Sequence, residues 1–257
     1  MSGLLGLHEE LDGQIETMID GVTKALNKTA FIGDRMITFD KSAAFLKVPK
    51  FAAALDKCAL ADDNRGWSWR VNTLSWAAKK ALTLEGDFVE CGVFEGFMSN
   101  MLVEYLDFTD TDRTLYLYDT FEGFPTEYSS PADFPGSEGF WHFANEAYAK
   151  AGLYEGVVAR FAPYHNVKVI KGVVPDILHE VSPEKISYLH MDLNSPRAET
   201  AGLEILYDRV VSGGVIVFDD YGWKPYRLQM EAADKFMNER GQFVMELPTG
   251  QGLVVKN

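Results

Sequence analysis

The sequence predicts an α/β fold: a doubly wound, mostly parallel seven-stranded sheet with a C-terminal antiparallel hairpin and a helical N-terminal cap. Three observations carry that prediction. The run Gly86-Asp-Phe-Val-Glu-Cys-Gly-Val-Phe-Glu-Gly96 reads as a short strand that turns through two glycines, and a helix from Met98 to Leu106 and a strand over 113–118 follow it. Strand, helix and strand within about 30 residues make a right-handed βαβ unit. Acids close the successive strands, at Glu90, Asp119, Asp192 and Asp219-Asp220, and that edge is where open α/β sheets bind ligands. Last, Val215–Phe218 is the most apolar run in the chain, as a central parallel strand buried on both faces should be.

Taken in order, residues 1–85 are expected to form a helical cap or dimerisation arm, and residues 86–257 one continuous globular unit. Ile15, Met18, Ile19, Val22 and Leu26 recur at helical spacing, with Asn27-Lys28 as the helix end. The mixed stretch 29–66, with Phe31, Ile32, Phe39, Phe45 and Leu46, predicts short helices rather than strands. Val71, Leu74, Ala78, Ala81 and Leu82 then mark a helix before the opening strand. After the βαβ unit, Phe121–Phe143 is too long and too rich in Pro and Gly for an ordinary connection, and its aromatics predict an ordered lid. A helix from Asn145 to Phe161 leads to strands at 167–170 and 186–191. Ser195 with Pro196 reads as a cap and first helical residue, and Gly213-Gly214 as that helix's stop. A further helix with Met230, Ala233, Phe236 and Met237 inside ends at Gly241, and strands over 242–247 and 252–255 close the chain as a hairpin.

Composition narrows the function. With 257 residues, 47% of them hydrophobic, the chain can bury a full core. A net charge of −14, with no run among its 24 Lys and Arg, opposes binding to nucleic acid or an anionic membrane. Cys58 and Cys91 alone support neither a disulfide framework nor a zinc site, so a reducing, cytoplasmic setting is expected. Residues 1–10 lack the basic and long apolar regions of a signal peptide, and no stretch matches a spanning helix.

The glycine turn narrows the ligand. Its pattern is Glu90-x-Gly92-x-x-x-Gly96, not the Gly-x-Gly-x-x-Gly of nicotinamide dehydrogenases, and no phosphate-cradling Gly-Lys-Ser/Thr loop is present. Asp119, at the end of the second sheet strand, is placed to accept two hydrogen bonds from a ribose diol. A nucleoside without pyrophosphate is implied, and S-adenosylmethionine is the common one.

At these residues the chain resembles the macrocin O-methyltransferase family of class I S-adenosylmethionine-dependent methyltransferases. The resemblance rests on Gly86-Asp-Phe-Val-Glu-Cys-Gly-Val93 with Gly96, on Tyr118-Asp-Thr-Phe-Glu-Gly-Phe-Pro125, and on Leu203-Glu-Ile-Leu-Tyr207 through Gly213-Gly-Val-Ile-Val-Phe-Asp-Asp-Tyr221. It implies methyl transfer to a hydroxyl of a small acceptor, a sugar or other natural-product intermediate, with Mg²⁺ held by Asp192, Asp219 and Asp220. The expected cofactor set is Glu90, Gly92, Gly96, Ser99, Asp119, Thr120, Phe121, Gly172 and Asp192. Three hard carboxylates with water or substrate suit an octahedral Mg²⁺. The chain departs from the family at Asp192-Leu193-Asn194 followed by Ser195-Pro196, where the family often has Asp-Gly-Asp and then Tyr-Glu. The metal ligand survives that change, but the acceptor pocket is altered.

For the base, Asp192 is the first candidate, with His190 and His142 as rivals. On a strand His190 shares a face with Asp192, and a histidine held only by the fold is its alternative reading. His142 sits in the lid between Trp141 and Phe143, where aromatic packing is the simpler account. Trp67, Trp69 and Arg70 either wall the pocket or, for the tryptophans, form core. Cys91 is a small residue filling a tight turn. Competing functions are a metal-independent N- or other methyltransferase, a nucleoside-binding component without turnover, and, less well matched, an NAD-dependent oxidoreductase. The amphipathic first helix and the resemblance imply a homodimer or larger homo-oligomer.

Overall fold

In the computed structural model, which describes residues 9–27 and 29–257, the chain divides into two units, Met1–Thr73 and Leu74–Asn257. Residues 1–8, most of the stretch read above for a signal peptide, and Lys28, one of the two expected helix-end residues, lie outside the described residues.

The first unit contains α1 (Glu9–Leu26), β1 (Ala30–Gly33), β2 (Met36–Phe39), α2 (Pro49–Cys58) and α3 (Asp62–Gly66), and α4 (Ser68–Ala81) begins in it. The expectation of short helices throughout 29–66 is corrected here, because β1 and β2 pair as an antiparallel hairpin with Ala30 opposite Phe39 and Gly33 opposite Met36. Asp34 and Arg35 form its two-residue turn with φ of +50° and +55°. Hairpin turns of this kind usually advertise themselves by Asn-Gly or Asp-Gly, and an arginine in the second place hides the signal. Arg70 supplies the compensation: its Nε and Nη2 lie 2.7 and 3.2 Å from the two carboxylate oxygens of Asp34, with both side chains 9% exposed. Trp69, partly buried, packs edge-on to Phe31 and Phe45.

The second unit is built on β3 (Asp87–Cys91), α5 (Phe97–Leu106), β4 (Leu115–Asp119), α6 (Glu138–Tyr148), α7 (Leu153–Phe161), β5 (Val167–Lys171), β6 (Ile186–Met191), α8 (Pro196–Leu206), β7 (Val210–Phe218), α9 (Arg227–Asn238), β8 (Met245–Glu246) and β9 (Gly252–Val255). Its sheet has the order β5-β4-β3-β6-β7-β9-β8, with β9 antiparallel to both β7 and β8 and the rest parallel. The strand order reverses between β3 and β6, and a crevice opens at such a switch point beyond the strands' C-terminal ends.

Side chains alternate across the sheet with period two. Val89, Leu189, Met191, Ile216 and Phe218 pack with Leu203 and Leu206 of α8 and Phe236 and Met237 of α9. Phe88, Leu117, Tyr188 and Val217 pack with Leu74, Ala78 and Ala81 of α4, Leu102 of α5 and Val157 of α7. Both faces are therefore covered, the arrangement that parallel strands need.

Two helix boundaries differ from expectation. The single helix over 145–161 is two helices, α6 starting earlier at Glu138 and α7 entered through Gly152. Gly213-Gly214 does not stop a helix: α8 ends at Leu206, and both glycines lie inside β7, beside an irregularity in its pairing with β6. Glycine within a strand marks such bulges and close backbone approaches. The Pro/Gly-rich segment is ordered by its aromatics: Phe134, Trp141 and Tyr226 are buried together, flanked by Phe124, Phe140 and Trp223. The Trp141 indole N–H donates to Ser129 Oγ at 2.8 Å.

Candidate active site

At the end of β3 the chain turns against β6. The Asp192 amide donates to Cys91 O at 2.7 Å and the Gly92 amide to Tyr118 O at 2.8 Å. Gly92 has φ +91°, and a Cβ there would stand 1.9 Å from the carbonyl oxygen of Asp192. Only glycine fits both the angle and the space. Gly96 precedes the first residue of α5 with φ +77°, where a Cβ would stand 2.7 Å from the Phe161 ring. These glycines serve the chain's own close packing, and so bring the N-terminus of α5 to the sheet edge.

Asp119 holds that turn open. Its Oδ2 accepts from the amides of Val93 at 2.7 Å and Phe94 at 2.9 Å, and its Oδ1 from the amide of Phe121 at 2.6 Å. A carboxylate offers about four acceptor sites, so the backbone occupies most of them. Thr120 Oγ1 donates to Gly123 O at 2.6 Å, and the Gly172 amide to Asp119 O at 2.9 Å. The expected cofactor residues from β3, β4 and β5 thus meet as one hydrogen-bonded rim.

Beneath the rim lies a buried charged row. Glu90 is buried on β3; its Oε1 is 2.9 Å from His190 Nδ1, and its Oε2 accepts from Ser99 Oγ. His190 Nε2 lies 3.6 Å from Asp219 Oδ1, which also accepts from Gln251 Nε2 at 2.9 Å. Burial works against a charge on His190, but the nearby Asp219 and Glu90 carboxyls outweigh it and push the imidazole up to about 10. The two neighbouring carboxyl groups favour the charged form of the ring. The geometry gives it the part of a strut between two carboxylates.

Asp192, just past β6, is partly exposed above this row. Among the described residues, one group of His190, Asp192 and Asp219 brings potential metal-ligand atoms within 4.8 Å of one another. Asp220, the third ligand implied by the resemblance, is partly exposed and is not a member of that group. Asn194 Nδ2 is 3.4 Å from Asp192 Oδ1, and Glu199, in the first turn of α8, accepts from the Leu193 amide at 3.2 Å. Burial is the main cause that pushes Glu199 up to about 8.

The lid meets the same loop. Ser195 caps α8 by accepting from the Ala198 amide at 3.3 Å and donates to Tyr128 O in the lid, while Tyr128 Oη donates to Asp176 Oδ1 at 2.9 Å. His142 stands on the exposed side of α6, edge-on to Trp141. The structure therefore gathers Glu90, Ser99, His190, Asp192 and Asp219 in one place and leaves His142 on the outer side of the lid helix. Glu199 and Gln251 go unmentioned in the sequence reading, and Asn194 enters it only as a departure from the family. An acid in the first turn of a capped helix is a signal that could have drawn attention to Glu199, whereas Gln251 follows a hairpin turn with no signal at all.

Comparison with known proteins settles the family. A sequence model described as macrocin O-methyltransferase (TylF) matches residues 46–244. The chain belongs to the macrocin O-methyltransferase family. Among the family's curated relatives, mycinamicin III 3''-O-methyltransferase of Micromonospora griseorubida is 30% identical over 164 residues, covering 59% of this chain and 62% of that protein. The 8-demethyl-8-(2,3-dimethoxy-alpha-L-rhamnosyl)-tetracenomycin-C 4'-O-methyltransferase of Streptomyces olivaceus is 28% identical over 162 residues, covering 59% of this chain and 60% of that one. The match thus spans less than two thirds of either relative's length. The solved structure of the O-methyltransferase NovP superposes with a TM-score of 0.59 at 21% identity, covering 73% of this chain and 79% of that one. That likeness fixes the fold as the class I methyltransferase type. Among the described residues, no helix is long and apolar enough to cross a membrane.

Proposed function

We propose that this member of the family transfers a methyl group from S-adenosylmethionine to a hydroxyl of a sugar-linked natural product, with Mg²⁺ assistance. The convergence of Asp192 and Asp219 above the Gly92 turn is the observation that carries the proposal. Both curated relatives are named as O-methyltransferases, and the second name prints a rhamnosyl acceptor.

The donor chemistry fits a hard divalent cation. Two carboxylates have oxygens near enough to share one ion, and no thiolate competes among these ligands. His190 belongs to the same group by distance but is tied to Glu90 through Nδ1; Asp192 and Asp219 would hold the ion, with Asp220 beside them. When bound, Mg²⁺ lowers the pKa of an alcohol and orients its oxygen.

The remaining steps belong to the chain's own residues. Glu90, tied to Ser99 and His190, fixes the end of β3 and the first turn of α5, and Asp119 shapes the 92–94 turn where the methyl donor sits. The acceptor oxygen bonds to the sulfonium methyl carbon as the carbon–sulfur bond breaks, leaving S-adenosylhomocysteine. Asp192, the partly exposed carboxylate at the site, takes the hydroxyl proton. Alignment of two bound reactants contributes on the order of 7–11 kcal/mol to such a reaction.

The test is release of S-adenosylhomocysteine over a panel of glycosylated polyketides and free nucleotide sugars, run with Mg²⁺ and with excess EDTA. Turnover that disappears in EDTA and returns with Mg²⁺ supports the proposal in full. Turnover indifferent to EDTA removes the metal, and binding of the cofactor product without turnover on any hydroxylated acceptor removes the reaction.

A further inference from the structure

The loop that carries Asp192 has no glycine to shape it, yet it turns through a left-handed residue: Asn194 has φ +55°. Asparagine is one of the few non-glycine residues that adopt this conformation, and its short polar side chain hydrogen bonds locally there. Glu199 holds the turn. Its Oε1 accepts from the Leu193 amide at 3.2 Å, one residue before Asn194. The same turn is wired to the functional carboxylate, because Asn194 Nδ2 lies 3.4 Å from Asp192 Oδ1.

We infer that Glu199 is a positioning residue whose buried carboxyl clamps the Asp192–Asn194 turn and so fixes where Asp192 presents its carboxylate. End-capping of the helix does not explain an acid at this place. The N-terminus of α8 is already capped by the Ser195 hydroxyl and begins with Pro196, which has no N–H to satisfy. Glu199 is 2% exposed, and its Oε2 has no hydrogen-bond partner, as is true of Asn194 Oδ1. Burying a half-satisfied acid opposes folding, and such a group calls for a reason other than packing.

The second observation is that the fold uses the same device twice. Asp119 receives the consecutive amides of Val93 and Phe94 and shapes the cofactor turn after β3. Glu199 receives the Leu193 amide and braces the corresponding turn after β6, the neighbouring strand. One acid sets the donor side and the other sets Asp192.

The consequence for a cation rests on the proposed function, so the experiment separates the two. Amide hydrogen exchange is followed in the metal-free full chain for wild type, Glu199→Ala, Glu199→Gln and Glu199→Asp, and Mn²⁺ affinity is then measured on the same samples by paramagnetic titration. Glu199→Ala should speed exchange at Leu193 at least tenfold while Val93 and Phe94 keep wild-type rates, and should weaken Mn²⁺ binding about 10–100-fold, as loss of an outer-shell support does. Glu199→Gln keeps an oxygen in place and should hold both close to wild type. If the alanine variant does not fold, Glu199→Asp, which draws the carboxyl back by one methylene, should show the same local exchange. Wild-type exchange and Mn²⁺ affinity in the alanine or aspartate variant overturn the inference, as does a glutamine variant as loose as alanine. Should wild type take up no Mn²⁺, the metal in the proposed function falls, and the exchange comparison alone decides the clamp.

Discussion

Replacing Gly92 by alanine tests how tightly β3 and β6 are fitted at the site. The new Cβ would lie 1.9 Å from Asp192 O, so that backbone must retreat by about 1 Å or more to reach a separation that real Cβ atoms show. The retreat breaks the 2.7 Å hydrogen bond from the Asp192 amide to Cys91 O, worth about 0.5–1.5 kcal/mol. Holding alanine at φ +91° adds roughly 1–2 kcal/mol of backbone strain. The variant should therefore lose about 1.5–3.5 kcal/mol in urea denaturation at unchanged m-value. Because Asp192 itself moves, and misplacement by about 1 Å costs on the order of 100-fold in rate, methyl transfer should fall more steeply than the folded fraction. A Gly92→Ala protein within about 0.5 kcal/mol of wild type, with wild-type turnover, would refute the fit described here.

Other consequences are as concrete. Asp34→Ala removes one half of the buried pair with Arg70 in the N-terminal unit and should destabilise the chain by about 3–5 kcal/mol, visible as a lower denaturation midpoint; an unchanged midpoint contradicts the hairpin anchor. Glu199 keeps its proton in the folded state up to about pH 8, whereas the unfolded group releases it near 4.5. The folded state binds the extra proton in that window, so wild type loses stability as pH rises from about 4.5 to 8, by up to about 1.4 kcal/mol per pH unit. Glu199→Gln lacks this loss, and its stability relative to wild type should rise over the same window in urea melts at pH 5 and pH 8. Ser195→Ala removes the α8 cap and the link to Tyr128, and should cost about 1 kcal/mol together with faster amide exchange across residues 125–130. Asp219→Asn keeps the acceptor for Gln251 but removes charge beside His190, and should abolish Mn²⁺ binding while the folded midpoint shifts less than in Asp34→Ala.

The sheet was legible because its signals are local. Glu90-Cys91-Gly92, the apolar run of β7 and the Ser195-Pro196 helix start each declare their element within a few residues, and their order leaves few topologies. The hairpin β1–β2 was not legible, since its turn is Asp34-Arg35 and the residue that makes it tolerable, Arg70, is far along the chain. The same distance in sequence hides the pairing of Glu90 with His190 and of Asp219 with Gln251, which exist only once β3, β6, β7 and the terminal hairpin are side by side. Acids at strand ends pointed to the right edge, but their surroundings could not be read there: Asp119 is largely taken up by backbone amides, Glu90 by Ser99 and His190, and Asp192 sits partly exposed on the loop after β6. The Gly213-Gly214 pair misled because glycine ends helices and marks strand bulges alike.

The most direct test of the central claim is a crystal of the full chain soaked with S-adenosylhomocysteine and Mn²⁺, measured for anomalous scattering. The account predicts one strong anomalous peak in contact with the carboxylates of Asp192 and Asp219, with the nucleoside against the Gly92 turn. A nucleoside in that turn with no anomalous peak beside those two aspartates, or a peak held by other residues, would contradict it.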